Sequence, residues 1–200
     1  MNDHFEIAGR LSVLKSDGYV DRASSDLKSY FLQGTYVGKT TLIKALAFGG
    51  VERTYQSWNG VDAATLETDR TYNSVGEKFD DNGVFEGFYN DQVDNYNQDH
   101  YQLHWNEKIS DQWSTNLAFH YTKGKGYYEE FVDDWKYKNV YFADDSKFSF
   151  LGLDPITVNG ETITSTDYTR RKWLDNDFYG TTFSANYKAD KLDVILGGGY

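Results

Sequence analysis

A strict alternation of apolar and polar residues over residues 98–122 is the feature that most limits what this chain can fold into. Polar residues separate the apolar side chains of Tyr101, Leu103 and Trp105, and after a short polar break the pattern resumes at Trp113. A period of two residues is the signature of a β-strand with one apolar and one polar face. The two segments predict an antiparallel hairpin. Its strands, at about 10 residues each, are longer than the usual ~5–6 of a soluble sheet.

The same alternation occurs at five other places, so the sequence predicts about seven strands. The other predicted strands cover approximately residues 5–14, 29–36, 40–48, 179–187 and 192–200. The strand at 40–48 does not show which of its faces is apolar, because Leu42 shares a face with Lys44 while Ile43 lies on the other.

The connections between these strands are of two kinds. Short turns follow the second, fourth and sixth strands, whereas long connections of about 16–25, 51–97 and 124–175 follow the first, third and fifth. Long loops at one end and short turns at the other are typical of an outer-membrane barrel and unusual in a compact soluble domain. We therefore predict an all-β fold, an antiparallel up-and-down transmembrane β-barrel segment. Because seven open strands would leave two unpaired edges, we expect an internal piece of a larger barrel without its plug domain.

Charge and composition exclude several classes of protein. The chain has 31 acidic and 20 basic residues, for a net charge of −11, and residues 61–99 alone carry ten acidic and two basic side chains. A nucleic-acid-binding protein would be expected to present a basic face, so we predict no nucleic-acid partner. The absence of cysteine excludes disulfides, thiol catalysis and cysteine-bound metals.

Two motifs suggest ligands but have simpler interpretations. The segment Gly34–Thr40 resembles a phosphate loop, yet three residues rather than four separate its glycines and no helical pattern follows, so we predict a hairpin turn. His100 and His104 lie about 13 Å apart along a strand and cannot share a metal ion. His100 and His120 could face each other across the hairpin, either as part of a polar, water-facing ladder, which we favour, or as a metal site.

The acidic pairs have two interpretations as well. The segment 80–83, Asp-Asp-Asn-Gly, fits a turn, although its oxygens could also bind calcium without EF-hand spacing. The pairs at 129–130, 133–134 and 144–145 raise the possibility of a glycoside hydrolase, which needs two carboxylates at a fixed separation across a cleft. In a chain with so many acids such pairs arise by chance. We predict no catalytic residues, no metal and no cofactor.

The predicted long loops are rich in aromatic residues. Rings with neighbouring polar groups can stack on a bulky ligand, and packing of the loops on themselves is the alternative. The candidate ligand-binding residues are Tyr55, Trp58, Tyr72, Phe85, Phe88, Tyr89, Tyr127, Tyr128 and Trp135.

Several segments resemble one protein family. Residues 16–31, SDGYVDRASSDLKSYF, are similar to a stretch of the TonB-dependent outer-membrane receptors of Bacteroidetes. The segment 48–50, Phe-Gly-Gly, followed by Glu52 and by 54–61, TYQSWNGV, carries the same resemblance. Beyond residue 61 the resemblance consists of general features, namely aromatic strands, acidic loops and a strand that begins at 99–103.

The resemblance implies a barrel of about 22 strands plugged by an N-terminal domain. It also implies a location in the outer membrane of a Gram-negative bacterium and import of a scarce ligand such as a ferric siderophore, haem or cobalamin. The implied partners are outer-membrane lipid, the small-molecule ligand and the TonB complex, which would act through an N-terminal part that this sequence lacks.

This interpretation assigns the two faces of the strands. The face that carries Leu103 and Phe119 would meet lipid, and the face that carries Gln98, His100, Gln102, His120 and Asn186 would meet the lumen. A soluble secreted all-β module that binds glycans through exposed rings is the main alternative, and a carboxylate-based glycoside hydrolase is a further one.

Overall fold

The computed structural model describes residues 3–136 and 154–200, and seven long strands dominate it. These strands form one sheet in the order in which they occur along the chain, and every neighbouring pair is antiparallel. The long strands are β1 (Phe5–Ser16), β2 (Ser25–Val37), β3 (Thr41–Tyr55), β6 (Val93–Lys108), β7 (Trp113–Val132), β10 (Tyr168–Ala189) and β11 (Leu192–Gly199). The all-β, antiparallel, seven-stranded prediction is confirmed.

The long strands extend further than their alternation predicts. β7 has 20 residues and β10 has 22, so both continue well into the segment expected to be a loop. β3 likewise reaches Tyr55 and β6 begins at Val93, which narrows the connection between them to residues 56–92. In these extensions both faces of the strand carry polar or charged groups, so the period-two signal fades although the backbone ladder continues.

The two longest connections contain small elements of their own. Residues 56–92 include the helix α1 (Ala63–Thr68) and the hairpin of β4 (Glu77–Phe79) and β5 (Phe85–Phe88). The helix α2 (Asp134–Lys136) and the hairpin of β8 (Ile156–Val158) and β9 (Glu161–Ile163) lie in the other. Among the described residues, none of the helices is long and apolar enough to cross a membrane.

Helix α1 and the turn after β4 were not evident from alternation, because side-chain caps determine both. The Asp62 carboxylate accepts a hydrogen bond of 2.7 Å from the backbone N–H of Thr65 and so caps the helix. Asp80 accepts from the backbone N–H groups of Asn82, at 3.0 Å, and Val84, at 2.7 Å, and Gly83 takes a φ of +79°. Segment 80–83 is therefore a turn, which is the favoured of its two interpretations.

Cross-strand register fixes which residues share a face. Leu103 pairs with Ala45 on one side and Phe119 on the other, which places them on one face, called here the apolar face. Gln102 pairs with Leu46 and His120 on the opposite face, called here the polar face. The two faces are the predicted ones. The ambiguous third strand is also resolved, with Lys44 on the polar face.

Buried side chains gather at the end of the sheet that carries the long loops. The buried residues of the described chain include Tyr55, Asn73, Val75, Gln92, Val93, Glu129, Glu130, Val132 and Asp133. In contrast, most large apolar side chains in the middle of the strands are exposed. The described parts of the loops therefore pack against the strand ends, and none of the residues 3–136 and 154–200 forms a layer over the apolar face of the central sheet.

Two glycines in this sheet provide a matched test of the strand packing. At Gly126 a Cβ atom would overlap the carbonyl oxygen of Asn95 and the Cα atom of Tyr96, whereas at Gly34 it would meet nothing within 4 Å. We expect Gly126→Ala to lower the free energy of unfolding by about 1–3 kcal/mol, because backbone atoms must move to accept it. Gly34→Ala is the control and should leave stability unchanged or raise it. The measurement for both variants is the midpoint of thermal unfolding, detected on a gel as the loss of the compact, folded form. Equal midpoints for the two variants would contradict this packing.

Candidate functional site

The apolar face carries a continuous band of exposed hydrophobic side chains across all seven strands. The exposed fraction is 86% for Leu11, 45% for Leu103 and 49% for Phe119. A contiguous apolar surface of this extent is rare on a monomeric soluble protein and marks a surface that something else covers.

Aromatic residues concentrate at both edges of this band. Tyr101 and Tyr121 stack with their ring centres 6.1 Å apart at the edge nearer the long loops, and Trp113 and Tyr187 pack 4.9 Å apart at the other edge. The eight residue-to-residue steps from Trp113 to Tyr121 span about 26 Å along the strand, or roughly 20 Å after a tilt of about 40°. An apolar band about 25 Å tall between aromatic girdles is the outer surface of a transmembrane barrel.

Immediately beyond the tyrosine edge the apolar face becomes charged. Asp99, Lys123 and Asp177 lie side by side in one cross-strand row, directly above the row of Tyr101, Tyr121 and Tyr179. Lys123 Nζ lies 2.8 Å from Oδ2 of Asp177, and the Tyr121 hydroxyl donates a hydrogen bond of 2.5 Å to Oδ1 of the same carboxylate. Exposed ion pairs contribute little stability, so the significance of this row is that it sets a sharp limit to the apolar band.

The polar face carries hydrogen-bonding groups at the same level along the strands as the tyrosine row and the charged row of the apolar face. His100 Nδ1 lies 2.9 Å from Thr122 Oγ1, and its ring stacks on Phe48 with centres 4.7 Å apart. His100 pairs directly with Thr122 and His120 with Gln102, so the two histidines are diagonal rather than opposite. No group of three or more metal-ligating side chains occurs among residues 3–136 and 154–200. This face fits the polar ladder that the sequence favoured.

Where the polar face meets the long loops, it contains a cavity of about 460 Å³, called here the rim cavity. Its lining residues are Ala23, Ser25, Thr54, Tyr55, Gln56, Ser57, Trp58, Asp94 and Tyr128. Its floor is one cross-strand row, in which Ser25 pairs with Thr54, Thr54 with Asp94, and Asp94 with Tyr128. Trp58 stands edge-on to Tyr128, with ring centres 6.2 Å apart.

Three of the nine predicted aromatic residues line this cavity, namely Tyr55, Trp58 and Tyr128. Trp58 is 68% exposed, whereas Tyr55 is 8% exposed, and its hydroxyl lies within hydrogen-bonding distance of two loop carbonyls. Trp58 and Tyr128 therefore offer ring surface to a ligand, and Tyr55 mainly holds the wall in place.

The other six make contacts within the loops and strand ends. Phe85, Phe88 and Trp135 belong to a cluster around Phe79, with successive ring centres 5.0–5.8 Å apart. The Tyr72 hydroxyl donates to Glu77, the Tyr89 hydroxyl donates to Glu129, and Tyr127 packs on Trp173 with ring centres 4.7 Å apart. Burial raises the pKa of the Tyr89 hydroxyl, and its hydrogen bond to the Glu129 carboxylate raises this pKa further.

The acidic pair Glu129–Glu130 has a structural partner on each face of the sheet. Consecutive residues of a strand point to opposite faces, and Glu129 pairs with Arg171 while Glu130 pairs with Arg170. Two carboxylates on opposite faces do not flank one substrate, as a glycoside hydrolase requires. The pair at 144–145 lies outside the described residues.

Neither Asp94 nor Glu52 was a candidate ligand-binding residue from sequence, and they lie at and beside the rim cavity. Both occur in a chain with many acids, and only the register places Asp94 next to Tyr128, 34 residues further along. In the sequence, the indications of this cavity among the candidates discussed above were the aromatic residues Trp58 and Tyr128.

Long antiparallel strands paired in chain order, with short turns at one end and long loops at the other, define a segment of an up-and-down β-barrel. The sheet is similar to part of a TonB-dependent receptor barrel. It aligns with the open form of the ferric-catecholate import receptor Fiu from E. coli K12, with a TM-score of 0.59 and 10% identity over 100% of this chain and 30% of the receptor chain.

The closed form of the same receptor aligns with a TM-score of 0.55 and 10% identity, over 100% of this chain and 27% of that chain. At this identity the similarity concerns the fold, and this chain spans less than a third of the receptor's length. No protein-family model matches the chain, and no curated protein matches it in sequence.

Proposed function

We propose that this chain forms part of the barrel of a TonB-dependent receptor in the outer membrane of a Gram-negative bacterium. The observation that carries the proposal is the apolar band, bounded by aromatic side chains at both edges and by the charged row of Asp99, Lys123 and Asp177 at one of them. A water-soluble glycan-binding module would gain nothing from such a band and would aggregate through it.

In this proposal the apolar face contacts outer-membrane lipid and the polar face lines the lumen. The connections 56–92 and 133–167 lie on the outside of the cell and, with the rim cavity, capture a scarce ligand. The structurally similar protein Fiu is a ferric-catecholate import receptor. For this chain we propose the broader class of ferric siderophores, haem or cobalamin, with import driven by the TonB complex through an N-terminal part of the receptor. We also propose that the receptor is of the Bacteroidetes type, because the segments 16–31 and 48–61 resemble receptors of that group.

The proposal is tested by locating the polypeptide in its source cells with an antibody to residues 61–99. We expect the antibody to bind intact cells and to detect an outer-membrane band several times larger than 23.0 kDa, whose mobility changes on boiling because a folded barrel resists detergent. A soluble band of 23.0 kDa would contradict the proposal and favour the glycan-binding module.

A further inference from the structure

We infer that the rim cavity recognises a ligand with a positively charged group beside an apolar or ring surface, and that it disfavours polyanionic ligands. This inference rests on the proposed receptor function and specifies the ligand's chemical class. Four features carry it: an acidic side chain in the cavity floor, exposed ring surface beside that side chain, engaged cations around the cavity, and a strongly acidic long-loop end.

The first feature is an acidic side chain in the cavity floor with a second one beside the cavity. Asp94 lies between Thr54 and Tyr128 in one cross-strand row, and directly opposite side chains have Cβ atoms about 4.5–5.5 Å apart. Glu52 pairs with Tyr96 and is therefore a diagonal neighbour of Asp94 on the same face. Within the described part of the chain, neither carboxylate has an ion-pair partner. Two like charges on one face leave a site that a cation would stabilise.

The second feature is the ring surface that Trp58 and Tyr128 supply. The face of an aromatic ring carries negative electrostatic potential and attracts a cation within about 6 Å of its centre. The Tyr128 ring already has one such contact, since Lys172 Nζ lies 4.9 Å from its centre. The same ammonium is 4.0 Å from a Glu130 carboxylate oxygen, which Arg170 shares.

The third feature is that the arginines near the cavity are engaged. Arg22 has its guanidinium 5.7 Å from the centre of the Tyr55 ring and donates to a loop carbonyl oxygen, and Arg170 pairs with Glu130. Arg171 pairs with Glu129 on the apolar face, away from the cavity. An anionic ligand such as a ferric tris-catecholate would have to compete for cations that a carboxylate, a carbonyl oxygen or an aromatic ring already contacts.

The fourth feature is the difference in charge between the two ends of the sheet. The loop segment 61–99 carries ten acidic and two basic side chains, whereas the short turns at 38–40, 109–112 and 190–191 together carry two of each. An excess of one sign around a cleft raises the local concentration of ligands of the opposite sign. The long-loop end therefore attracts cations and repels polyanions.

The test uses three ferric complexes with radiolabelled iron, bound at equilibrium to the polypeptide purified in detergent from outer membranes of its source cells. Ferrioxamine B carries a pendant ammonium group, its N-acetyl derivative lacks that charge, and a ferric tris-catecholate is polyanionic. We expect ferrioxamine B to bind at least about tenfold more tightly than the other two, and added salt to reduce this preference by screening.

The variant Asp94→Asn should weaken ferrioxamine B binding by about fivefold to tenfold and leave binding of the N-acetyl derivative unchanged. Asp190→Asn, in a short turn at the opposite end, is the matched control and should change neither. Tighter binding of the tris-catecholate, equal binding of the two ferrioxamines, or binding of none of the three would overturn this inference. The receptor proposal is tested separately, by the location of the polypeptide in its source cells.

Discussion

The variant Leu117→Arg should fail to assemble stably in the outer membrane. Leu117 lies on the apolar face midway between Trp113 and Tyr121, which mark the two edges of the band, and it pairs with Trp105 and Phe183. An arginine on the lipid face at the bilayer midplane costs about 2–4 kcal/mol, because its charge must leave water. The measurement is the amount of heat-modifiable receptor in outer-membrane fractions and its unfolding midpoint.

Two control variants separate this effect from general damage to the strand. Leu117→Phe keeps an apolar side chain at the same site and should assemble normally. His120→Asn changes the polar face of the same strand and should destabilise the receptor less than Leu117→Arg, because it replaces one half-buried polar side chain, whose ring lies 5.1 Å from that of Phe178, with a smaller polar one. Unchanged assembly of Leu117→Arg, or a larger effect from His120→Asn, would reverse the assignment of the two faces.

The variant Tyr55→Ala should release the long loop 56–92 from the end of the sheet. Tyr55 is 8% exposed, and its hydroxyl lies 2.8 Å from the carbonyl oxygen of Tyr89 and 3.2 Å from that of Val75. Removing a buried ring of this size costs about 3–5 kcal/mol, and we expect this cost to appear as local opening of the loop. Trypsin cleavage after Arg70 or Lys78 in intact cells measures that opening.

Tyr55→Phe and Tyr19→Ala are the matched variants for this experiment. Tyr55→Phe keeps the ring and loses only the hydroxyl, so it should cost about 0.5–1.5 kcal/mol and raise the cleavage rate modestly. Tyr19 is 73% exposed, and its removal should leave cleavage unchanged. Cleavage of Tyr55→Ala at the original rate would show that this residue does not hold the loop.

The central part of the fold could be predicted from sequence because each strand there has one apolar and one polar face. Leu103 and Phe119 had to share a face with each other and not with His100, and the register bears this out. The strand ends could not be predicted in this way. β10 runs through Asp175, Asn176 and Asp177 without alternation, because both faces are polar there and only the backbone ladder continues.

The candidate site was less predictable, because register rather than local pattern builds it. Trp58 and Tyr128 were singled out as loop aromatics, but Asp94 becomes relevant only when β6 and β7 pair and place it opposite Tyr128. The packing of Phe85, Phe88 and Trp135 around Phe79 likewise depends on how the loops fold over the strand ends. Such contacts join residues far apart in the chain and leave no periodic signal.

A cysteine scan along β7 tests the orientation of the sheet most directly, and none of the 200 residues of this chain is a competing cysteine. Single cysteines at positions 117–122 of the receptor are labelled with a nitroxide in lipid bilayers, and collision with oxygen is compared with collision with a water-soluble nickel complex. We predict that 117, 119 and 121 collide with oxygen, which concentrates in lipid, and that 118, 120 and 122 collide with nickel. Equal exposure to nickel at all six positions, or the opposite alternation, would contradict a membrane-spanning barrel with this orientation.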